Sequence, residues 1–242
     1  MQKVYLIMGA TSDIGVELLH RIYNTNDIFI CQGSNDLEIL KEFSKDKNNI
    51  NLYDINLTDN SCLDKFIDEI TLKYPTPTHY VHLPALRVIN TKFKKFDEDR
   101  FNLDMNVQVT SAIRISKTIL PKMAKNKYGR CLFMLTSYLL GMPPKNTTSY
   151  IVSKSALQGL VKSLAIDYAS FGITVNAVAP SMMVTKFLTD LNPIIVEAAA
   201  LENPMKRNAT VNDVAPAMQF LLSDEAGFIT GVTLPITGGE SI

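Results

Sequence analysis

Short apolar runs alternate along this chain with longer segments of helical period. Six runs have strand length: Val4 to Met8, Ile28 to Cys31, Ile50 to Tyr53, Tyr80 to Leu83, Cys131 to Leu135 and Ile173 to Ala179. Between them, apolar residues recur at spacings of three and four, the period of a helix with one buried face. Apolar strands separated by helices predict a parallel sheet covered on both sides, because a parallel strand returns through a crossover lying on a sheet face. The predicted fold class is therefore α/β, with a doubly wound parallel sheet. No Gly/Ser/Pro-rich linker, internal repeat or low-complexity tract divides the chain, so residues 1–242 read as a single domain. Pro75, Pro77, Pro143, Pro144 and Pro193 mark loops.

The first strand runs directly into Gly9-Ala10-Thr11-Ser12-Asp13-Ile14-Gly15. This places Gly9 in a tight turn and Gly15 just inside a helix. A backbone that turns sharply into a helix N-terminus offers amide N–H groups and a positive dipole end, which suit a pyrophosphate. Asp13 also suits a helix N-cap, and the two readings are compatible. Farther along, Ile151, Ala156, Leu157, Leu160, Val161, Leu164 and Ala165 recur at helical spacing. On that helix Tyr150 and Lys154 stand four apart and share a face, so the ammonium can favour the phenolate. A free tyrosine titrates near ~10, and a phenol that moves protons near neutrality needs such a neighbour. The pair alone also fits an exposed amphipathic face.

Composition narrows the classes of partner. The chain is 46% apolar and 20% charged with a formal net charge of zero and no basic or acidic block, which argues against nucleic-acid or membrane-surface binding. The N-terminal MQKVYLIMG lacks a signal-peptide apolar region, and no run reaches the ~18 apolar residues of a membrane span. A soluble, cytoplasmic protein is the expectation. Cys31, Cys62 and Cys131 are isolated, so neither a disulfide framework nor a metal site is indicated. His20, His79 and His82 read as structural, and Asp64, Asp68 and Glu69 as a polar helix face.

With these motifs in order, the chain resembles the short-chain dehydrogenase/reductase family over essentially its whole length. Met8-Gly9-Ala10-Thr11-Ser12-Asp13-Ile14-Gly15 is similar to the family's T-G-x-x-x-G-x-G, with Met8 and Asp13 departing from it. Asn106 matches the Asn of its proton relay. Ser137, thirteen residues before Tyr150, and Tyr150-x-x-x-Lys154 match its catalytic set. Pro180, Val184 and Thr185 match the loop that holds the nicotinamide. NPMKRNATVNDVA resembles the P-L-G-R segment, and FITGVTLPITGG the C-terminal strand and turn. The resemblance implies a Rossmann fold of about seven strands, a substrate lid at about 181–210, and hydride transfer between a nicotinamide and a carbonyl or alcohol carbon.

In that reading Asn106, Ser137, Tyr150 and Lys154 are catalytic. Tyr150 exchanges the proton, Ser137 holds the substrate oxygen, Lys154 lowers the Tyr150 pKa and binds the nicotinamide ribose, and Asn106 anchors a water. Gly9, Thr11, Ser12, Asp13, Ile14, Gly15, Ser34, Asn35, Asn56, Leu57, Pro84 and Ala85 line the cofactor site, with Tyr150, Lys154, Pro180, Val184 and Thr185. Where the family has N-N-A-G, the chain has His82-Leu83-Pro84-Ala85. Related enoyl reductases separate Tyr and Lys by six residues, and Thr147 stands there, so carbonyl chemistry is favoured over C=C reduction.

No carboxylate falls at Gly33 or Ser34, where one would select NAD, so NADP(H) is favoured over NAD(H). Asp36 would reverse this if the second strand ran one or two residues longer. Leu139, Leu140, Met142, Met182, Met183 and Phe187 are the expected substrate pocket, and the Met-rich segment suits a greasy substrate. An ordinary packed amphipathic helix is the other reading of the segment after Ser181. Lys122, Lys125, Lys127 and Arg130 resemble the carrier-docking surface of 3-oxoacyl-acyl-carrier-protein reductases, although Phe171 replaces a basic residue there. Paired helices imply a homotetramer or homodimer. The leading expectation is an NADPH-dependent ketoreductase of carrier-bound 3-oxoacyl thioesters in fatty-acid or polyketide-like biosynthesis. The alternatives are a sugar or secondary-alcohol dehydrogenase, and an inactive nucleotide-binding interaction subunit.

Overall fold

The computed structural model describes residues 2–34, 36–189 and 191–240. Seven parallel strands form one sheet in the order β3-β2-β1-β4-β5-β6-β7. They are β1 (Val4–Met8), β2 (Ile28–Gly33), β3 (Ile50–Asp54), β4 (His79–His82), β5 (Gly129–Met134), β6 (Ile173–Pro180) and β7 (Thr233–Ile236). The order reverses between β1 and β4, so the loops leaving these two strands diverge and open a crevice at the carboxyl edge.

Among the described residues there are eight α-helices, most of them packed on the sheet: α1 (Asp13–Ile22), α2 (Glu38–Ser44), α3 (Asn60–Lys73), α4 (Glu98–Met105), α5 (Ser111–Lys125), α6 (Thr148–Tyr168), α7 (Pro193–Glu202) and α8 (Val211–Leu222). Side chains alternate across each strand and build two cores. Val4, Leu6 and Met8 of β1 face the core shared with α3, α5 and α6, which contribute Phe66, Ile115 and Val161. Tyr5 and Ile7 face the other, with Leu18 of α1, Leu40 of α2 and Met218 of α8. Cys31 and Cys131 are fully packed within these cores as small hydrophobes.

Several boundaries differ from the apolar pattern for local reasons. β2 extends to Gly33 because the ladder to β3 continues through Gln32 and Gly33, which are buried although not apolar. Pro193 does not sit in a loop: it starts α7, where a missing N–H costs nothing, behind an Asn192 cap. Ser12, not Asp13, caps α1, accepting the Gly15 amide at 3.2 Å. α4 and α5 are joined without a break by a π-turn, Asn106–Thr110, whose Asn106 carbonyl accepts from the Ser111 amide. α7 has no buried residue and exposes Ile194 and Leu201, so it is not the packed amphipathic helix that one reading of this segment foresaw.

Candidate active site

At the carboxyl edge β1 leads into Gly9, whose φ of +73° is left-handed and suits glycine. A Cβ there would lie 3.1 Å from the Pro84 nitrogen, so the loop after β4 packs directly on the turn. Ser12 donates its hydroxyl to the Gly9 carbonyl at 2.7 Å and closes the loop. Gly15 lies against the loop backbone, where a Cβ would come 2.7 Å from the Ala10 oxygen. Thr11 covers Gly33: a Cβ at Gly33 would be 2.4 Å from the Thr11 methyl. The first-turn amides of Asp13 and Ile14 have no helical acceptor. These features fit a dinucleotide. Asp13 is the discordant residue, since its carboxylate accepts from the Lys186 amide at 2.6 Å and ties this turn to the segment after β6.

Around the adenosine side, Ser34 is exposed just past β2, and Asn35 lies outside the described residues. Asp36 is three residues beyond the strand end and accepts from the Glu38 amide, which commits it to the start of α2. Asn56 turns its side-chain oxygen to the Thr58 amide and hydroxyl. The Leu57 side chain points into the core with Leu63, so only its backbone remains available to a ligand. Pro84 is buried and Ala85 half-buried against the Gly9 turn.

Ser137 follows the end of β5, and Tyr150 and Lys154 lie in the first turns of α6. Ser137 is buried in a 3₁₀ turn, Ser137–Leu139, that Thr136 caps. Lys154 is 1% exposed and donates to the Met134 carbonyl at 2.8 Å, with Nζ 5.8 Å from the Tyr150 ring centre. Burial pulls its ammonium down to about 7, with the Asp104 carboxylate working against the shift. Burial pushes the Tyr150 phenol up to about 12, and a Thr136 hydroxyl contact only partly offsets this. The expected lowering of Tyr150 by Lys154 is therefore absent in this geometry. The amine is turned to a strand carbonyl and is itself weakly charged near neutrality.

Asp104 and Thr136 escaped the sequence reading, although Asp104 lies two residues before Asn106. Asp104 is buried, accepts from the Ser149 hydroxyl at 2.6 Å and stands 3.6 Å from the Arg100 Nε. With Arg100, Asp97, Thr91, Asn146 and Tyr150 it lines a cavity of about 70 Å³. The apolar pocket expected near Ser137 is less coherent. Met142 is 96% exposed, while Leu139 and Met183 pack against opposite cores. Leu140, Met182 and Phe187 are half-buried. Pro180 ends β6 in the core, Val184 is exposed and pairs its amide with the Ala209 carbonyl, and Thr185 follows half-buried.

The remaining polar candidates resolve into structure. His79 bridges the Thr78 hydroxyl and the Leu222 carbonyl, and His82 links the Tyr80 hydroxyl to the Gln108 carbonyl. Arg130 does not belong to an exposed basic cluster. It is buried, donates to the Gly172 carbonyl and pairs with Asp224 at 3.3 Å, because β5 carries its stem inward. Among the described residues, no helix is long and apolar enough to cross a membrane.

Residues 25–241 match the family model described as Enoyl-(Acyl carrier protein) reductase. The 3-oxoacyl-[acyl-carrier-protein] reductase FabG of Haemophilus influenzae is 29% identical over 98% of this chain and 97% of that protein. FabG of Rickettsia bellii is 30% identical, covering 97% of this chain and 95% of its own. The chain belongs to the short-chain dehydrogenase/reductase family. Its members' chemistry makes it an NAD(P)-dependent oxidoreductase acting between CH–OH and C=O. Among solved structures, ElxO with NADP bound superposes with a TM-score of 0.87 at 25% identity, covering 99% of each chain. A 4-hydroxyisoleucine dehydrogenase complexed with NADH gives 0.89 at 21% identity, covering 99% and 98%, which speaks for the fold.

Proposed function

We propose that this short-chain dehydrogenase/reductase is an NADPH-dependent ketoreductase acting on 3-oxoacyl thioesters carried by an acyl carrier protein. The observation that supports the reading is Lys154, buried on α6 with its ammonium 5.8 Å from the Tyr150 ring centre and bonded to the Met134 carbonyl at the end of β5, three residues before Ser137. The FabG relatives, matched nearly end to end, supply the substrate class. The dinucleotide, when bound, supplies the hydride. Tyr150 gives its phenolic proton to the substrate oxygen as charge develops there, and Ser137 holds that oxygen by donating its hydroxyl. Lys154 binds the nicotinamide ribose and returns a proton toward Tyr150, while Asn106, at the π-turn, anchors the water that leads to solvent. Pro180, Val184 and Thr185 hold the carboxamide. Absence of a carboxylate at the end of β2, with Asp36 engaged at α2, supports NADPH.

The segment from residue 181 to 210 acts as the lid, its apolar α7 face closing over substrate. Leu103, Ile113 and Val152, exposed on α4, α5 and α6, support assembly into a homodimer or homotetramer through these helices. Burial of Arg130 leaves Lys125 and Lys127 as the exposed basic residues for carrier docking. A second reading, a dehydrogenase of sugars or secondary alcohols, is favoured by the Asp97, Arg100, Asp104 and Asn146 side chains that line the cavity beside Tyr150 among apolar neighbours.

The test is turnover with NADPH and NADH on carrier-bound 3-oxoacyl thioesters, free 3-oxoacyl thioesters, keto sugars and secondary alcohols. The expected result is a preference for the carrier-bound thioester and NADPH. Tyr150→Phe should lower kcat by at least roughly 100-fold and leave NADPH binding within about threefold. Equal turnover of carrier-bound and free ketones removes the carrier, and preference for sugars installs the second reading. A Tyr150→Phe protein with full activity overturns the mechanism.

A further inference from the structure

Gln32 is a polar residue in the middle of a buried sheet, at the strand end where the glycine turn, the tip of β2 and the exit of β3 meet. It is 1% exposed. Its side-chain oxygen accepts from the Gly9 amide at 2.9 Å. Its amide nitrogen donates to the Gly33 carbonyl and to the Ile55 carbonyl, each at 2.7 Å. Three bonds from one carboxamide thus tie the Gly9 turn and the exit of β3 to the end of β2, and they use the donors and acceptor in matched directions.

The backbone explains why a side chain is needed. At Gly9 the chain leaves the ladder with positive φ, while the next amide, Ala10, returns to the Gln32 carbonyl at 2.8 Å. Gly9 N–H therefore takes its acceptor from the Gln32 side chain. A buried amide left without one is destabilising. The same carboxamide holds Gly33, which must stay close to Thr11, and Ile55, whose amide answers to the Gly33 carbonyl at 3.0 Å.

We propose that Gln32 is a positioning residue for the dinucleotide: its carboxamide fixes the Gly9 turn relative to the β2 and β3 ends, and so sets dinucleotide affinity without taking part in hydride or proton transfer. The inference rests on reading the Gly9–Gly15 loop as the dinucleotide site. The three partners of the Gln32 carboxamide lie at the ends of β1, β2 and β3, on the half of the sheet away from β5, which Ser137 follows. Loss of the clamp should loosen the ground-state site while leaving the reacting end in place.

Two variants divide the clamp. Gln32→Glu keeps an acceptor for Gly9 and loses both donors; Gln32→Leu loses all three bonds. NADPH affinity is read by fluorescence titration of the protein without substrate, kcat by turnover at saturating NADPH, and loop protection by amide hydrogen exchange at Gly9–Thr11 and Gly33. The expected result is a dissociation constant raised at least about tenfold in both variants, kcat lowered less than about threefold, and faster exchange at those amides. Unchanged affinity in both variants overturns the proposal while leaving the dinucleotide reading intact. A fall of kcat and affinity together, in step with the fraction unfolded, also overturns it by showing a purely structural role. If Gln32→Leu does not fold, Gln32→Glu and the exchange pattern decide. If the wild-type protein itself does not bind NADPH, the dinucleotide reading falls and the Gln32 role with it.

Discussion

Replacing Lys154 by methionine tests the electrostatics of the site through folding stability, with no need for substrate. The ammonium is 1% exposed, and its pKa falls from the usual 10.5 to about 7, mainly through burial. About three and a half pH units at ~1.4 kcal/mol each put the full cost of the buried charge at roughly 5 kcal/mol. Above pH 10.5 the amine is neutral folded or unfolded and contributes no pH dependence. From there down to about 7 the unfolded chain holds a proton that the folded protein lacks, so stability falls as pH falls. Methionine has similar reach and no proton to bind. The stability of Lys154→Met minus that of wild type should therefore rise by about 2 kcal/mol as pH drops from about 9 to about 7, where the folded amine is already about half protonated. Loss of the bond to the Met134 carbonyl adds an offset that does not vary with pH. Urea denaturation of dinucleotide-free protein at about pH 7, 8 and 9 measures the difference directly. A gap constant within about 0.5 kcal/mol over that range would refute the claim that Lys154 is buried at a desolvation cost.

Two further outcomes follow from the site and its supports. Asp13→Gly removes a carboxylate from the first turn of α1 and should tighten NADPH binding by roughly fivefold, since a charge pair near a protein surface is worth about 1 kcal/mol or more; calorimetric titration showing unchanged or weaker binding would count against it. His79 and His82 are both held down to about 3, chiefly by burial, so each contributes stability that is lost as pH drops below 6.5, at up to about 1.4 kcal/mol per unit. His82→Asn removes one of the two titrations, and denaturation at about pH 6.5, 5.5 and 5 should show about half the acid slope; an unchanged slope would show that His82 is not buried neutral.

The strands were legible because both sheet faces are covered, which turns each strand into an unbroken apolar run. β2 was legible only to Cys31, where the code changes from burial by apolarity to burial by hydrogen bonding at Gln32. That Tyr150 and Lys154 share a helix face could be anticipated because i to i+4 spacing is local, whereas Ser137 entered only through the family resemblance. What escaped depends on contacts distant in sequence. Asp13 and the Lys186 amide are separated by 173 positions, and nothing local to either predicts their bond. Arg130 looked like a member of a lysine-rich surface, but strand alternation sends it inward to Asp224. Phenol and amine shared a helix face as expected, yet their charge states depend on how deeply that face is buried.

The π-turn between α4 and α5 has a geometric effect on everything upstream of it. One residue more than an α-turn holds swings the preceding stretch by about 100° about the common axis. Val107, Gln108 and Val109 are consequently buried in succession, which a regular helix against a flat core does not allow. The helix from Glu98 to Lys125 thus behaves as a crankshaft with two throws: α5 bears on the sheet, while α4 bears on the start of α6 and carries Asp104 beside Ser149. Removing a single residue from this turn would leave a smooth rod of nearly the same length, with Asp104 aimed away from the tyrosine it now neighbours.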